Sequence, residues 1–116
     1  MALILANEST AAGPTGPDEA IVIDATLTVA DTSEVLFTIP AGHKLRSFSL
    51  VNVSNPNTDA HVSLAAGVAA TTGDIRLGRR DSLNEDGLDL AEGTYAYIGG
   101  AGDTPTLRGI VWFGPA

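Results

Sequence analysis

The stretch Ile21-Val22-Ile23-Asp24-Ala25-Thr26-Leu27-Thr28-Val29 decides the fold class. Ile21, Ile23, Ala25, Leu27 and Val29 fall on one face, with Val22, Asp24, Thr26 and Thr28 between them. Successive side chains of an extended chain point to opposite sides, so this is a half-buried strand rich in β-branched residues, over about residues 20 to 29. Asp31-Thr32-Ser33 supplies a turn. Val35, Phe37 and Ile39 then alternate with Glu34, Leu36 and Thr38 in a second strand, ended by Pro40-Ala41-Gly42 because proline cannot donate to a ladder.

The same reading extends along the chain. A third strand over 45–53 carries Phe48 and Leu50 on one face and Val51 and Val53 on the other, so both faces are apolar unless a bulge shifts the register. Asn55 to Asp59 is a loop, and a short fourth strand over 60–65 sets His61 and Ser63 against Val62 and Leu64. Residues 66–73 read as loop. Ile75 and Leu77 mark a fifth strand, Leu88 and Leu90 a sixth, Tyr95 to Ile98 a seventh and Leu107 to Phe113 the last. No window keeps a helical period, and 13 Gly at turn spacing argue against helices. The expectation is an all-β domain over 20–116, an antiparallel β-sandwich or jelly roll of seven or eight strands, with a closed barrel as the alternative.

Residues 7–19 hold Gly13-Pro14 and Gly16-Pro17, which interrupt any helix or strand ladder. Residues 1–19 therefore read as an N-terminal arm with an apolar tip, Leu3, Ile4 and Leu5. Two readings fit it: a loose tail, or a segment that docks on a neighbouring subunit beyond a stiff spacer.

Composition bounds the chemistry. A chain of 116 residues supports one domain with one core. It has no Cys, which removes disulfides, thiolate metal sites and Cys nucleophiles. Against 14 Asp and Glu stand 6 Lys and Arg, for a net charge of −8. No Lys or Arg occurs before Lys44, and none between Asp81 and Thr106. Phosphate backbones and anionic membranes are bound through Lys and Arg, so nucleic acid and membrane surfaces are disfavoured partners. Ala2 to Ala6 is too short for a signal-peptide core, and no stretch approaches the roughly 20 apolar residues of a membrane span. The chain reads as cytosolic, or as part of a particle assembled there.

Catalytic constellations are thin. His43 and His61 are the only imidazoles, and a set such as Ser47, His61 and Asp59 could be written from any chain with this much Ser and Asp. No catalytic, cofactor-binding or metal residue is assigned. Gly99-Gly100-Ala101-Gly102 is followed by no helix and faces Asp103, which would repel a phosphate. Asn84-Glu85-Asp86-Gly87-Leu88-Asp89 gathers oxygen ligands without the ligand spacing of a calcium loop, so it reads as an acidic turn. Tyr95 and Tyr97 share a face, which suits either a sugar platform with Trp112 or ordinary core packing. Arg76, Arg79 and Arg80 form the only basic cluster, a candidate contact to the acidic run of a neighbouring copy or a solvent-screened patch.

The last strand is the most informative for function. Leu107, Gly109, Val111 and Phe113 share one face, yet Ile110 and Trp112 accompany Arg108 on the other. The outer face of a lone sandwich meets water, and exposing these two side chains would leave on the order of 200–300 Å² of apolar surface. The candidate covers are the arm or another subunit; otherwise the strand turns a corner between the sheets. A homo-oligomer or a subunit of a larger assembly follows as the expectation, with Leu3, Ile4, Leu5, Arg76, Arg79, Arg80, Ile110 and Trp112 as candidate interface residues.

The run Phe37-Thr38-Ile39-Pro40-Ala41-Gly42-His43-Lys44-Leu45-Arg46-Ser47-Phe48-Ser49-Leu50-Val51-Asn52 resembles a layout common in small virion proteins of tailed phages. There a strand, a Pro or Ala-Gly turn and a second strand ending near Asn precede a loop. Gly87-Leu88-Asp89-Leu90, Tyr95-Ala96-Tyr97-Ile98 and the Leu107–Phe113 strand continue the similarity over roughly residues 34–113. The resemblance implies a capsid decoration or cement protein, or a related head or tail accessory subunit. Such proteins are often trimeric, with an arm that contacts the major capsid protein on the capsid surface. It brings no catalytic residues and no cofactor. The alternative reading is a carbohydrate- or receptor-binding module of a phage tail or other particle.

Overall fold

The computed structural model describes residues 19–54 and 58–116. Eight strands follow in chain order: β1 (Glu19–Thr26), β2 (Glu34–Ile39), β3 (His43–Asn52), β4 (Ala60–Val62), β5 (Ile75–Leu77), β6 (Ser82–Glu85), β7 (Gly93–Gly99) and β8 (Thr106–Pro115). Every pairing is antiparallel, in two four-stranded sheets ordered β1-β8-β3-β6 and β2-β7-β4-β5. This is the strand order of a jelly roll, and among the described residues there is no helix. The expected sandwich is the fold.

Alternation places the core. Ile23, Leu45, Phe48, Leu50, Leu107 and Val111 of one sheet pack against Phe37, Ile39, Val62, Leu77, Tyr95 and Tyr97 of the other. Tyr95 stacks on Phe37 with ring centroids 5.0 Å apart, and its hydroxyl donates to the Ala91 carbonyl at 2.6 Å. Asn52, wholly buried at the end of β3, joins the sheets: its amide donates to the carbonyls of Thr58 (2.7 Å) and Leu77 (3.0 Å), and its side-chain oxygen accepts from the Ser54 amide. A buried amide is tolerated because both its ends are bonded.

Where the strand expectations differ from the structure, a local device is the reason. The first strand stops at Thr26, and Val29 is exposed instead of facing inward. The Glu34 carboxylate holds the chain in a turn there, accepting from the Thr28 amide, the Thr28 hydroxyl (2.7 Å) and the Val29 amide (3.0 Å). In β2 the register shifts between Val35 and Phe37, so Leu36 and Phe37 are both buried while Val35 is 56% exposed. In β3 the shift falls between Leu45 and Ser47, and Leu45 and Phe48 both reach the core. That bulge lies upstream of the two-sided stretch, where alternation holds: Phe48, Leu50 and Asn52 point inward, Val51 stays half-buried on the outer face and Val53 beyond the strand is exposed.

The sixth strand is Ser82–Glu85, not Leu88 and Leu90. It pairs with Phe48–Val51; Gly87 then turns with φ +69°, and the chain rejoins β3 through Leu88 N–H to Arg46 O and a Leu90–Leu45 bridge. Leu88 and Leu90 pack on the core as a broken continuation opposite the β3 bulge. The fourth strand ends at Val62 instead of residue 65, and His61 and Ser63, the polar members of its alternation, are both buried. The 63–74 connection covers His61. Gly67 N–H donates to Thr94 O beside β7, Ala70 N–H to the Ser33 hydroxyl beside β2, and Asp74 O contacts His61 Nδ1 at 3.3 Å beside β4.

Gly109 lies between Ile23 on β1 and Leu50 on β3. A Cβ there would strike the Ser49 carbonyl oxygen, so only hydrogen fits. Gly109→Ala is expected to destabilise the fold by about 3 kcal/mol, the upper range for overpacking, read as a lower urea midpoint. A second expectation concerns acid. The Thr28 hydroxyl, then the Val29 amide, hold the Glu34 carboxyl below its ordinary value of 4.5. A depressed carboxylate stabilises above its unfolded pKa, and that contribution is lost as pH falls through the folded value. Glu34→Gln should therefore lower stability at pH 7 and flatten the acid limb of a stability–pH curve.

Candidate functional site

The two outer faces of the sandwich are treated unequally. On the β2-β7-β4-β5 sheet the 63–74 connection lies across the outside, and Ala96, His61, Ser63 and Ala70 are buried beneath or within it. Among the described residues nothing comparable crosses the β1-β8-β3-β6 sheet.

Register fixes what that bare face presents. One row runs Val22, Ile110, Ser49, Asn84; a second runs Ala20, Trp112, Ser47; a third runs Asp24, Arg108, Val51, Ser82. Val22 is 78% exposed, the most exposed of the large hydrophobic side chains among the described residues, while Ile110 and Trp112 are half-buried. In the first two rows apolar side chains thus occupy the β1-β8 half of the face, and hydroxyls and the Asn84 amide the β3-β6 half. Asp24 and Arg108 pair at 3.2 Å, so the third row carries no net charge. Beside Trp112 an open depression of about 310 Å³ runs over Ser47, Phe48 and Ser49 to Asn84, Glu85 and Asp86.

The sequence singled out Ile110 and Trp112, and the structure brings them together with Ala20 and Val22. Strand β8 does not turn a corner between sheets: it lies wholly in one sheet between β1 and β3, with Leu107, Val111 and Phe113 inside and Ile110 and Trp112 outside. Val22 was readable as an outward residue of the first strand, but only the β1-β8 pairing makes it part of one patch with Ile110.

The basic cluster is divided. Arg76 is engaged within the chain, its guanidinium bonded twice to Asp59 at 3.0 and 3.2 Å, and this contact holds it above its ordinary pKa. Arg79 and Arg80 stand exposed in the β5-β6 turn, Arg80 at φ +66°, with no ion-pair partner among the described residues. Leu3, Ile4 and Leu5, and the arm to which they belong, lie outside the described residues; Glu19, assigned to the arm, is the first residue of β1.

Other candidate chemistry is otherwise engaged. Asp89 of the acidic turn meets Lys44 at 3.3 Å and Arg46 at 3.6 Å, and Asn84 bonds Ser49 and Ser82. Among the described residues no three His, Asp or Glu converge as metal ligands, and no helix is long and apolar enough to cross a membrane. Tyr95 and Tyr97 face the interior and form no platform, because inner-face alternation in β7 buries both. No family model, no curated protein and no solved structure matches this chain.

Burial raises the Tyr95 hydroxyl pKa, and burial together with the Glu34 carboxylate pushes that of Tyr97 up to about 12. A raised folded-state pKa adds stability that is complete below the unfolded value near 10 and is lost as pH rises through the folded one. Ultraviolet titration should show tyrosinate forming late and together with unfolding, and Tyr97→Phe should reduce the loss of stability above pH 10.

Proposed function

We propose that this chain is a structural, non-enzymatic virion subunit of the capsid decoration or cement type, which self-associates and binds the major capsid protein. The observation that carries the reading is the bare outer face of the β1-β8-β3-β6 sheet. A small domain has no structural need to place Val22, Ile110 and Trp112 side by side in water, and a contiguous apolar patch on a charged surface is the mark of a docking surface. The strong acidity, the jelly-roll fold and the layout resemblance over 34–113 support a particle surface as the setting. In this reading the Leu3–Leu5 tip makes a second contact with the coat, and the apolar side chains of Val22, Ile110 and Trp112 supply the affinity.

Cosedimentation with coat-protein shells tests it. The whole chain should pellet with the shells, Ile110→Ser combined with Trp112→Ser should weaken binding at least tenfold without loss of fold, and removal of residues 1–18 should weaken it further. A chain that stays in the supernatant under all conditions would contradict the proposal. One observation favours a second reading, a carbohydrate-binding module: the depression beside Trp112 combines an indole with hydroxyl, amide and carboxylate groups. Retention on a glycan array, abolished by Trp112→Ala, would select that reading instead.

A further inference from the structure

A two-sheet sandwich has four edge strands, here β1, β6, β2 and β5. Edges carry unpaired backbone donors and acceptors that template another strand, and proteins blunt them by shortness, bulges, charge or proline. Three edges of this chain are blunted. Strand β5 has three residues, β6 has four and ends in Glu85, and β2 is broken by the register shift at Val35. Strand β1 is blunted least: it runs eight residues in unbroken register with β8, with no proline, lysine or bulge, and its two charges, Glu19 and Asp24, leave Ala20 to Ile23 uncharged between them. Its inner-face residues Ile21 and Ala25 are only half-buried, which leaves the core open along this edge.

We propose that β1 pairs antiparallel with β1 of a second copy about a two-fold axis at Val22, joining the two β1-β8-β3-β6 sheets into one eight-stranded sheet. The occupant is argued from register and charge. Facing residues must point to the same side of a sheet, which limits the axis to a residue position. An axis at Val22 sets the two most exposed apolar side chains against each other, Ile21 against Ile23 of the second copy on the inner side, and Ala20 against Asp24 on the outer side. It also keeps the two Asp24 carboxylates four residues apart, roughly 13 Å and beyond a Debye length at physiological salt. An axis at Ile23 would bring them two residues apart and face Val22 with Asp24. Two chains of net charge −8 repel over most of their surface, and the outer β1-β8 rows, where Arg108 cancels Asp24, are where they can meet. The pairing is two-fold, unlike the trimer that the resemblance implies, and it does not rest on the coat-binding reading.

The chain has no cysteine, so a single introduced thiol reports the axis. Val22→Cys in the whole chain should oxidise to a disulfide-linked dimer. Ala20→Cys, equally near the edge but roughly 13 Å from its own counterpart, should stay largely unlinked. Sedimentation of the unmodified chain should show a dimer, and Val22→Lys, at a site exposed enough to leave the fold intact by circular dichroism, should give a monomer. A monomeric unmodified chain, a Val22→Lys dimer, or equal linking of Ala20→Cys and Val22→Cys would each overturn the proposal.

Discussion

The closest constraint in the structure is the approach of β8 to β3 at Gly109, where the Ser49 carbonyl leaves no room for a side chain. The consequences spread from that contact. It seats β8 between β1 and β3, which brings Leu107, Val111 and Phe113 onto the core and forces the intervening Ile110 and Trp112 outward. A strand at the centre of a sheet has no freedom to hide one face at an edge. The apolar outer patch is therefore a direct result of a packing requirement on the inner side, together with a choice of residues at 110 and 112 that solubility alone would not make.

The other sheet shows what covering an outer face involves. Its β4-β5 connection is spent on that task, tied down at Thr94, Ser33 and His61. The equivalent outer rows of the β1-β8-β3-β6 sheet receive no such segment among the described residues. Burial of His61 and Ser63 under the first cover, with Val22 bare on the second face, is an asymmetry in how one chain distributes its length.

Much of this was legible in sequence. Strict alternation located β1, β7 and β8, and the conflict between their two faces pointed to Ile110 and Trp112 before any pairing was known. What alternation could not see were the places where it breaks. The Val35–Phe37 bulge reverses Val35 and puts Leu36 beside Phe37 in the core, and no residue there announces a bulge. Strand β6 has a single large aliphatic, Leu83, so it offers no period, whereas Leu88 and Leu90 offer one but are interrupted by the Gly87 turn. His61 looked polar-facing because a cover supplied by residues 63–74 is a tertiary fact. Val22 became a site residue only through its register with Ile110.

Charge completes the physical picture of the face. The Asp24–Arg108 pair is exposed on both sides, at 66% and 60% of the side chains, and such pairs add little stability because solvent screens them and ordering two long side chains costs entropy. Its larger effect is on the field at the sheet. Without Arg108, the row beside Val22 and Ile110 would carry a bare carboxylate on a chain already at −8, and any approaching acidic surface would meet repulsion within the screening length of about 8 Å. With it, the half of the face that is apolar is also neutral. A pair that contributes almost nothing to folding can thus determine where an acidic protein is able to touch another surface, because association depends on the local potential rather than on the net charge.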